Sequence, residues 1–405
     1  MIENLKYNGA NVSLKLLLIS KIILLILHPI HSKSLMRVIH VVECFASGTA
    51  HFINLLTRYT YNCDHIVIHG ERIEEMKAEL VKARFPEGTK FIYWEDAQRE
   101  IKLKKDFQAL NSLIRLLRNV NADVIHLHSS KAGFLGRLAC FILGFKNVIY
   151  TPNGAAFARE DISKKKKKLY IALEKVADKL SGHVVCCSSS EAMIFNDNGI
   201  KANYINNGTS IPDIQTLVDG KFKHEANPFT IVTCGRVTEQ KNPALFNKIA
   251  GAFAASPNIR FIWIGEGDAS QINQLDSGNI LLTGWQSKEN VLQALLNADL
   301  YLSTALWEGL PFSVLEALSL GKCLLLSDCV GNVDLVKDGY NGFKYGSAEE
   351  AVSRIEWLIN NQESLQTMAK NSREWCERDF DVQVVFRKYQ ALYESLVEKQ
   401  LLTIS

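Results

Sequence analysis

Leu300-Tyr-Leu-Ser-Thr304 followed by Glu308-Gly-Leu-Pro-Phe-Ser-Val-Leu-Glu316 is the stretch that decides the architecture of this 405-residue chain. The apolar run reads as a buried strand, Gly309 and Leu310 as a tight turn, and Pro311 as a first-turn residue of a helix carried by Phe312 to Leu318 and ended by Gly321. A strand that turns at once into a helix leaves free backbone N–H groups at the strand's carboxyl edge, where they favour a phosphate. Glu308 lies before that helix and Glu316 a turn or more inside it. The two carboxylates can therefore reach opposite ends of one elongated ligand while the N–H groups hold its middle. Hydroxyls, diphosphate and hydroxyls in that order describe a nucleotide sugar.

Working outward, apolar β-branched runs alternate with helical stretches along the whole chain. In the first half they are Val38 to Val42, Ile66 to His69, Phe91 to Trp94, Val124 to His128, Val148 to Thr151 and Val184 to Cys187. In the second they are Thr230 to Cys234, Phe261 to Gly265, Ile280 to Thr283, Leu300 to Ser303 and Cys323 to Ser327. Continuous apolar strands separated by helices predict parallel sheets covered on both faces, hence an α/β protein of two doubly wound domains. The turn-rich Asn206-Asn-Gly-Thr-Ser-Ile-Pro212 separates them, giving domains 36–210 and 211–381. The default site is the cleft beyond the strands' carboxyl ends. A last helix, 382–398, is apolar at 382, 385, 386, 389, 392, 393 and 396.

The net charge of +3 conceals an asymmetry. Residues 36–210 carry 25 Lys and Arg against 18 Asp and Glu, whereas residues 211–405 carry 17 against 24. The basic half peaks at Lys164, Lys165, Lys166, Lys167 and Lys168, which fit either an anionic membrane surface or a solvated helix face. Nucleic acid is not expected, because no aromatic interleaving accompanies the run. Nine cysteines without a C-x-x-C pair predict reduced, mostly buried thiols in a cytoplasmic protein. No metal is expected, since His69, His126, His128 and the cysteines lack clustered ligand spacing. Leu14 to Ile30 is apolar but interrupted by Lys15 and Lys21 and shorter than the ~20 residues of a spanning helix, and no clean signal-peptide cleavage site follows. Residues 1–35 are expected to be an extension outside the fold.

In the second domain, Gly235 and Arg236 end the first strand and Lys241 stands in the loop before the next helix. Two cations there would hold a diphosphate and stabilise the charge of a departing nucleotide. Gly235-Arg236 with Lys241-Asn242, Ile262-Trp-Ile-Gly265-Glu266-Gly267, Leu282-Thr-Gly284-Trp285, Glu308 to Glu316, and Val336-Lys-Asp-Gly339-Tyr-Asn-Gly342-Phe343, in this order, resemble the retaining GT-B glycosyltransferases of the bacterial group-one family that builds capsule, O-antigen and exopolysaccharide. The resemblance runs over most of residues 36–395 and is densest between 230 and 345. It implies two Rossmann-like domains facing a central cleft, a donor held mainly by the second domain, no metal or other cofactor, and a C-terminal helix crossing back to the first domain.

Carried over by that resemblance, Arg236, Lys241 and Glu308 are the catalytic candidates. Arg236 and Lys241 would clamp the donor diphosphate, Glu308 would hydrogen-bond the donor sugar, the backbone around Gly309, Leu310, Pro311 and Phe312 would face the phosphate, and Glu316 would accept from the ribose. Gly265, Glu266, Gly284 and Trp285 would border the base. The acceptor side would use Gly48, His128, Lys131 and Asn153, with His128 at the cleft edge and His126 a satisfied core histidine. Asn153 stands where the family often has His, and the loop after the first strand keeps one glycine, Gly48, where the family commonly has two. The expected partners are a nucleotide sugar and a saccharide acceptor, lipid-linked, at the inner face of the cytoplasmic membrane. Two rivals are a nucleotide-sugar epimerase or hydrolase on the same fold, and a non-catalytic partner subunit. Two decoys are set aside: Asp379-Phe-Asp381 as a helix cap rather than a metal motif, and Gly265-Glu-Gly267 as an incomplete dinucleotide fingerprint.

Overall fold

A computed structural model describes residues 35–71, 76–98, 101–212 and 228–404. The expected extension, 1–35, lies almost wholly outside them. The first domain contains β1 (Met36–Val42), α1 (Ser47–Tyr59), β2 (Cys63–His69), α2 (Ala78–Lys82), β3 (Lys90–Tyr93), α3 (Leu103–Arg118), β4 (Val124–His128), α4 (Ser130–Leu143), β5 (Val148–Thr151), α5 (Lys164–Leu180), β6 (His183–Cys186), α6 (Ser189–Asp197) and β7 (Ala202–Tyr204). The second contains β8 (Phe229–Cys234), α7 (Pro243–Gly251), β9 (Ile259–Ile264), α8 (Ala269–Ile272), β10 (Ile280–Leu282), α9 (Lys288–Asn297), β11 (Leu300–Ser303), α10 (Phe312–Ser319), β12 (Cys323–Ser327), β13 (Gly342–Tyr345), α11 (Ala348–Asn360) and α12 (Gln362–Asp379). Helix α13 (Val382–Ile404) closes the chain.

The sheets are ordered β3-β2-β1-β4-β5-β6-β7 and β10-β9-β8-β11-β12-β13, and every strand pair is parallel. Strands β7 and β13 were not expected. Both lie at sheet edges, and neither Ala-Asn-Tyr nor Gly-Phe-Lys-Tyr forms a continuous apolar run. Strand order reverses once per sheet, between β1 and β4 and between β8 and β11. Those seams open at the carboxyl edges, where doubly wound sheets bind ligands.

Helix α13 crosses back to the first domain. Val382, Val385, Phe386, Tyr389, Tyr393 and Leu396 pack against Val38, Phe52, Leu55, Leu56, Val124, Ile149 and Val185. The expected periodicity is thus spent on the sheet face that α1 also covers. Asp381 caps α13 by accepting the Gln383 N–H at 2.6 Å, and Asp379 accepts from Trp375 Nε1 at 2.8 Å. Glycines in α4 serve packing in the same way: a Cβ on Gly133 would stand 2.1 Å from Tyr150 Cε2, and one on Gly136 2.5 Å from Leu127 Cδ2. Immediately after them α4 buries Arg137 over the Tyr150 ring at 4.2 Å and against Glu174.

The two faces of the first sheet differ. Ile39, Val41, Ile66, Ile68, Ile125 and Leu127 make one purely apolar. On the other, parallel register sets His40 beside His126, with His65 opposite Val38, one pleat back on the same face, and His128 two positions beyond His126. Thr60 Oγ1 donates to Leu56 O at 2.7 Å, so it accepts from His65 Nε2 at 3.0 Å. His65 Nδ1 then accepts from His40 Nε2 at 3.0 Å, and His40 Nδ1 from His128 Nε2 at 3.0 Å. His126 spends both ring nitrogens, on Thr151 and on Tyr393 of α13, each at 2.8 Å. The absence of clustered histidines expected from linear spacing is therefore corrected: His40, His126 and His128 converge, with ring nitrogens within 4.8 Å, because adjacent strands bring distant positions together. All nine thiols are free, and Cys140, Cys186, Cys187, Cys323 and Cys376 are buried.

Burial holds the His126 imidazole down to about 3 and His65 down to about 4, and burial with neighbouring histidines keeps His40 and His128 well below the usual range. The folded chain favours neutral rings, whereas the unfolded chain takes up protons below about pH 6.5. This contribution is whole above that pH and is lost as pH falls toward 4. Denaturant unfolding should give a stability at least about 2 kcal/mol lower at pH 5.5 than at pH 7.5. A flat profile over that interval would contradict the account.

Candidate active site

The second sheet's seam gathers the expected donor residues. Gly235, at φ 141°, lets β8 turn away so that Lys241 can fold back over it; a Cβ there would lie 3.2 Å from Lys241 Cε. Arg236 stands half-buried beside it. Lys241 ends a short 3-10 turn, and its carbonyl accepts the Thr304 hydroxyl at 2.6 Å. Leu306 N–H donates to Gln240 O at 2.8 Å. The loop after β11 is thereby pinned to the loop after β8.

That pinning brings Glu308 Oε1 to 2.6 Å from Lys241 Nζ. Gln240 Nε2 reaches Trp307 O at 2.8 Å and Glu308 Oε2 at 3.3 Å. Burial acts to lower the Lys241 pKa, but the Glu308 carboxylate outweighs it and the ammonium is held above its usual range. Lys241 was expected to meet a diphosphate directly; here it holds the carboxylate assigned to the donor sugar. The ion pair poises both groups at one point.

Helix α10 begins at Phe312, with Pro311 in the capping position and no side chain capping it. Its first N–H groups therefore have no capping side chain and follow directly on the Glu308 turn. Inside the helix, Glu316 is paired with Lys288 at the start of α9. Gly265 and Gly267 serve close packing rather than a dinucleotide turn: Cβ atoms there would lie 2.1 Å from Gly235 O and Val237 O. Gly265 bridges Gly284, Glu266 is exposed, and the neighbouring Trp285 is 57% exposed, a free aromatic surface at the same edge.

Across the cleft, Gly48 at the start of α1 faces Phe312, 3.7 Å from a Cβ built on the glycine. His51, one turn on, meets the Phe312 ring edge-on at 4.6 Å. Asn153 adopts φ 54°, a left-handed conformation that Asn tolerates, and Gly154 follows at φ 104°. This turn abuts Gly309, where a Cβ would come within 2.9 Å of Gly154 N.

Two acceptor-side expectations are corrected. His128 is wholly buried beneath Phe52 in the histidine chain, not at the cleft edge. Its strand position is the last one, but the side chain falls on the face covered by α1. Lys131 points to α3, where it pairs with Asp106 at 2.6 Å with only 10% of its side chain exposed. The residue at this edge is Glu43, which accepts from Ser129 Oγ and from Ala132 N at 3.4 Å. Linear spacing gave no signal for Gln240, Lys288 or Glu43. Glu191 was missed too, although the spacing Ser188-Ser-Ser-Glu191 is a capping pattern that could have found it.

Two parallel α/β domains whose carboxyl edges face one cleft, with paired carboxylates and cations in the second, define a GT-B glycosyltransferase architecture. Residues 50–211 match Glycosyltransferase Family 4, and residues 215–375 match Glycosyl transferases group 1. An Escherichia coli UDP-Gal:alpha-D-GlcNAc-diphosphoundecaprenol alpha-1,3-galactosyltransferase is 31% identical, the match covering 74% of this chain and 82% of that one. A Campylobacter jejuni N,N'-diacetylbacillosaminyl-diphospho-undecaprenol alpha-1,3-N-acetylgalactosaminyltransferase is 22% identical over 71% of this chain and 80% of its own. Anabaena HepE, solved with UDP and glucose, shares the fold with a TM-score of 0.71 at 17% identity, over 89% of this chain and all of that one. The chain belongs to the group 1 glycosyl transferases and is a glycosyltransferase.

Removing one member of a poorly solvated ion pair strands the other. Lys241→Met should cost about 2 kcal/mol and Lys241→Met/Glu308→Leu together less than the sum of the single changes, with the coupling read from a double-mutant cycle in denaturant. Additive effects would show that the pair is not coupled.

Proposed function

We propose that the chain transfers a sugar, with retention of anomeric configuration, from a uridine diphosphate sugar to a polyprenyl-diphosphate-linked saccharide in surface polysaccharide biosynthesis. The observation that carries this reading is the meeting of Lys241 and Glu308 just before the uncapped start of α10, with Arg236 on the same loop as Lys241, in a chain 31% identical to a transferase named for UDP-Gal and a diphosphoundecaprenol acceptor. The uridine base comes from that name and from the UDP in the HepE structure.

In this mechanism the first N–H groups of α10 and the cations Arg236 and Lys241 take the charge that grows on the departing diphosphate. Glu308 holds the donor sugar's hydroxyls, and Glu316 exchanges Lys288 for the ribose. Asn153 faces the donor end across Gly309 and can hydrogen-bond a sugar but not carry a proton at neutral pH. Front-face attack suits such a site: the acceptor hydroxyl enters on the side the diphosphate leaves, and a phosphate oxygen takes its proton. Orientation and charge stabilisation, without a metal, do the rest.

The acceptor would approach from a membrane surface. Helix α5 begins with Lys164 to Lys168, four of them exposed, although cations at a helix N-terminus oppose the helix dipole. An anionic partner relieves that repulsion. Helix α3 starts at the same carboxyl edge with Leu103 85% exposed and Phe107 64% exposed, beside exposed Lys104 and Lys105. Exposed basic and apolar groups at this edge suit a lipid headgroup layer and support a reading in which the chain works at the inner face of the cytoplasmic membrane. No described helix is long and apolar enough to cross it.

Incubation with a panel of UDP-sugars, with chelator, and with or without polyprenyl-diphosphate-linked saccharides should release UDP only when acceptor is present. NMR of the product should show the donor's own anomeric configuration. Donor conversion without acceptor would instead favour an epimerase or hydrolase, and inversion would exclude the front-face mechanism. Glu316→Ala should weaken donor binding about 10- to 100-fold, read by calorimetry; a much smaller effect would remove the ribose assignment. Neutralising Lys164 to Lys168 should abolish flotation with anionic vesicles, and unchanged flotation would refute the membrane contact.

A further inference from the structure

The first turn of α6 in the first domain touches the Glu308 turn of the second through contacts that the proposed chemistry does not use. Ser190 donates its N–H to Asp334 Oδ1 at 2.9 Å and its hydroxyl to Asp334 Oδ2. The same hydroxyl oxygen accepts the Gly331 N–H at 2.9 Å. Gly331 in turn lies against Glu308: a Cβ on it would fall 2.8 Å from the Glu308 Cβ, and the Glu308 N–H donates to Val330 O at 3.0 Å. Ser190 thus bears on the backbone of Glu308 through one loop.

The neighbouring residues complete the contact. Glu191 is fully buried and accepts from Gly154 N at 2.8 Å and Cys187 N at 3.0 Å, which holds the Asn153–Gly154 turn against Gly309. Asn207, beyond β7, donates its side-chain amide to Leu310 O at 2.8 Å. Glu308, Gly309 and Leu310 are therefore each seated, directly or through Gly331, on groups of the opposite domain. A carboxylate at the start of a helix is favoured by the helix dipole, so Asp334 on α6 is a complementary contact between the domains.

We propose that Ser190 and Asp334 form an interdomain latch whose closure sets the Glu308 turn, and that both are positioning residues for sugar transfer. The proposal rests on Glu308 holding the donor sugar, as argued above. On the same reading the nucleotide is held by the second domain, through Arg236, Lys241 and Glu316, so breaking the latch should leave its binding intact. Transfer needs both domains in register, and a displacement of about 1 Å at a reacting centre costs about a hundredfold in rate.

The test compares Asp334→Ala, Ser190→Ala and Ser190→Thr in the whole chain. Solution scattering without ligand should show an enlarged radius of gyration for the two alanine variants, and calorimetry should give UDP dissociation constants within about threefold of the parent. Their kcat should fall about tenfold or more with donor KM little changed, and Ser190→Thr, which keeps both donors, should match the parent. Unaltered scattering with kcat within about twofold overturns the latch. So does a joint loss of melting temperature and UDP affinity, which would mark Asp334 as a support of its own domain. If the parent turns over no UDP-sugar, the function proposed above fails, while scattering still decides whether the latch closes the domains.

Discussion

Parallel strand order is the constraint from which the rest of the molecule follows. In an all-parallel sheet every strand leaves at the same edge, and a single reversal of order opens a crevice there between neighbouring loops that turn opposite ways. Both domains obey it, at β1/β4 and β8/β11, and both edges face one cleft. Whatever the loops after β8 and β11 carry must then converge. Lys241, Gln240 and Glu308 are brought together by this topology, though Glu308 lies nearly seventy residues from the other two in the chain.

Electrostatics gives that convergence its character. Lys241 is drawn into a poorly solvated position only because Glu308 accompanies it, and Glu308 is in turn held by Gln240. A paired cation remains available to an anion arriving at the open start of α10. Glu316 and Lys288 repeat the arrangement one turn inside the helix. The site therefore rests as two ion pairs that a diphosphate and a ribose can reorganise, at a cost lower than that of leaving bare charges in a cleft.

Much of this was legible in the sequence, for identifiable reasons. Buried parallel strands are continuous apolar runs, so eleven of them stood out, and the strand-turn-helix of Leu300 to Glu316 announced a phosphate edge. The edge strands Ala202–Tyr204 and Gly342–Tyr345 were not legible, because they are short and Asn203, Gly342 and Lys344 break any apolar run. His128 misled because a strand's last residue can still face inward. Lys131 misled because its partner Asp106 lies on another helix. The histidine chain from His65 to His128 could not be read at all, since it is built from register between strands. Contacts across the cleft, such as Asn207 to Leu310, are likewise invisible to local spacing.

The central claim is that the second sheet's seam alone holds the donor nucleotide. Amide hydrogen exchange of the whole chain, with and without saturating UDP, tests it most directly. Protection of residues 235–241 and 308–316, with residues 43–49 and 129–133 unchanged, is the result this account predicts. Protection confined to the first domain's edge, or none in either, would contradict it.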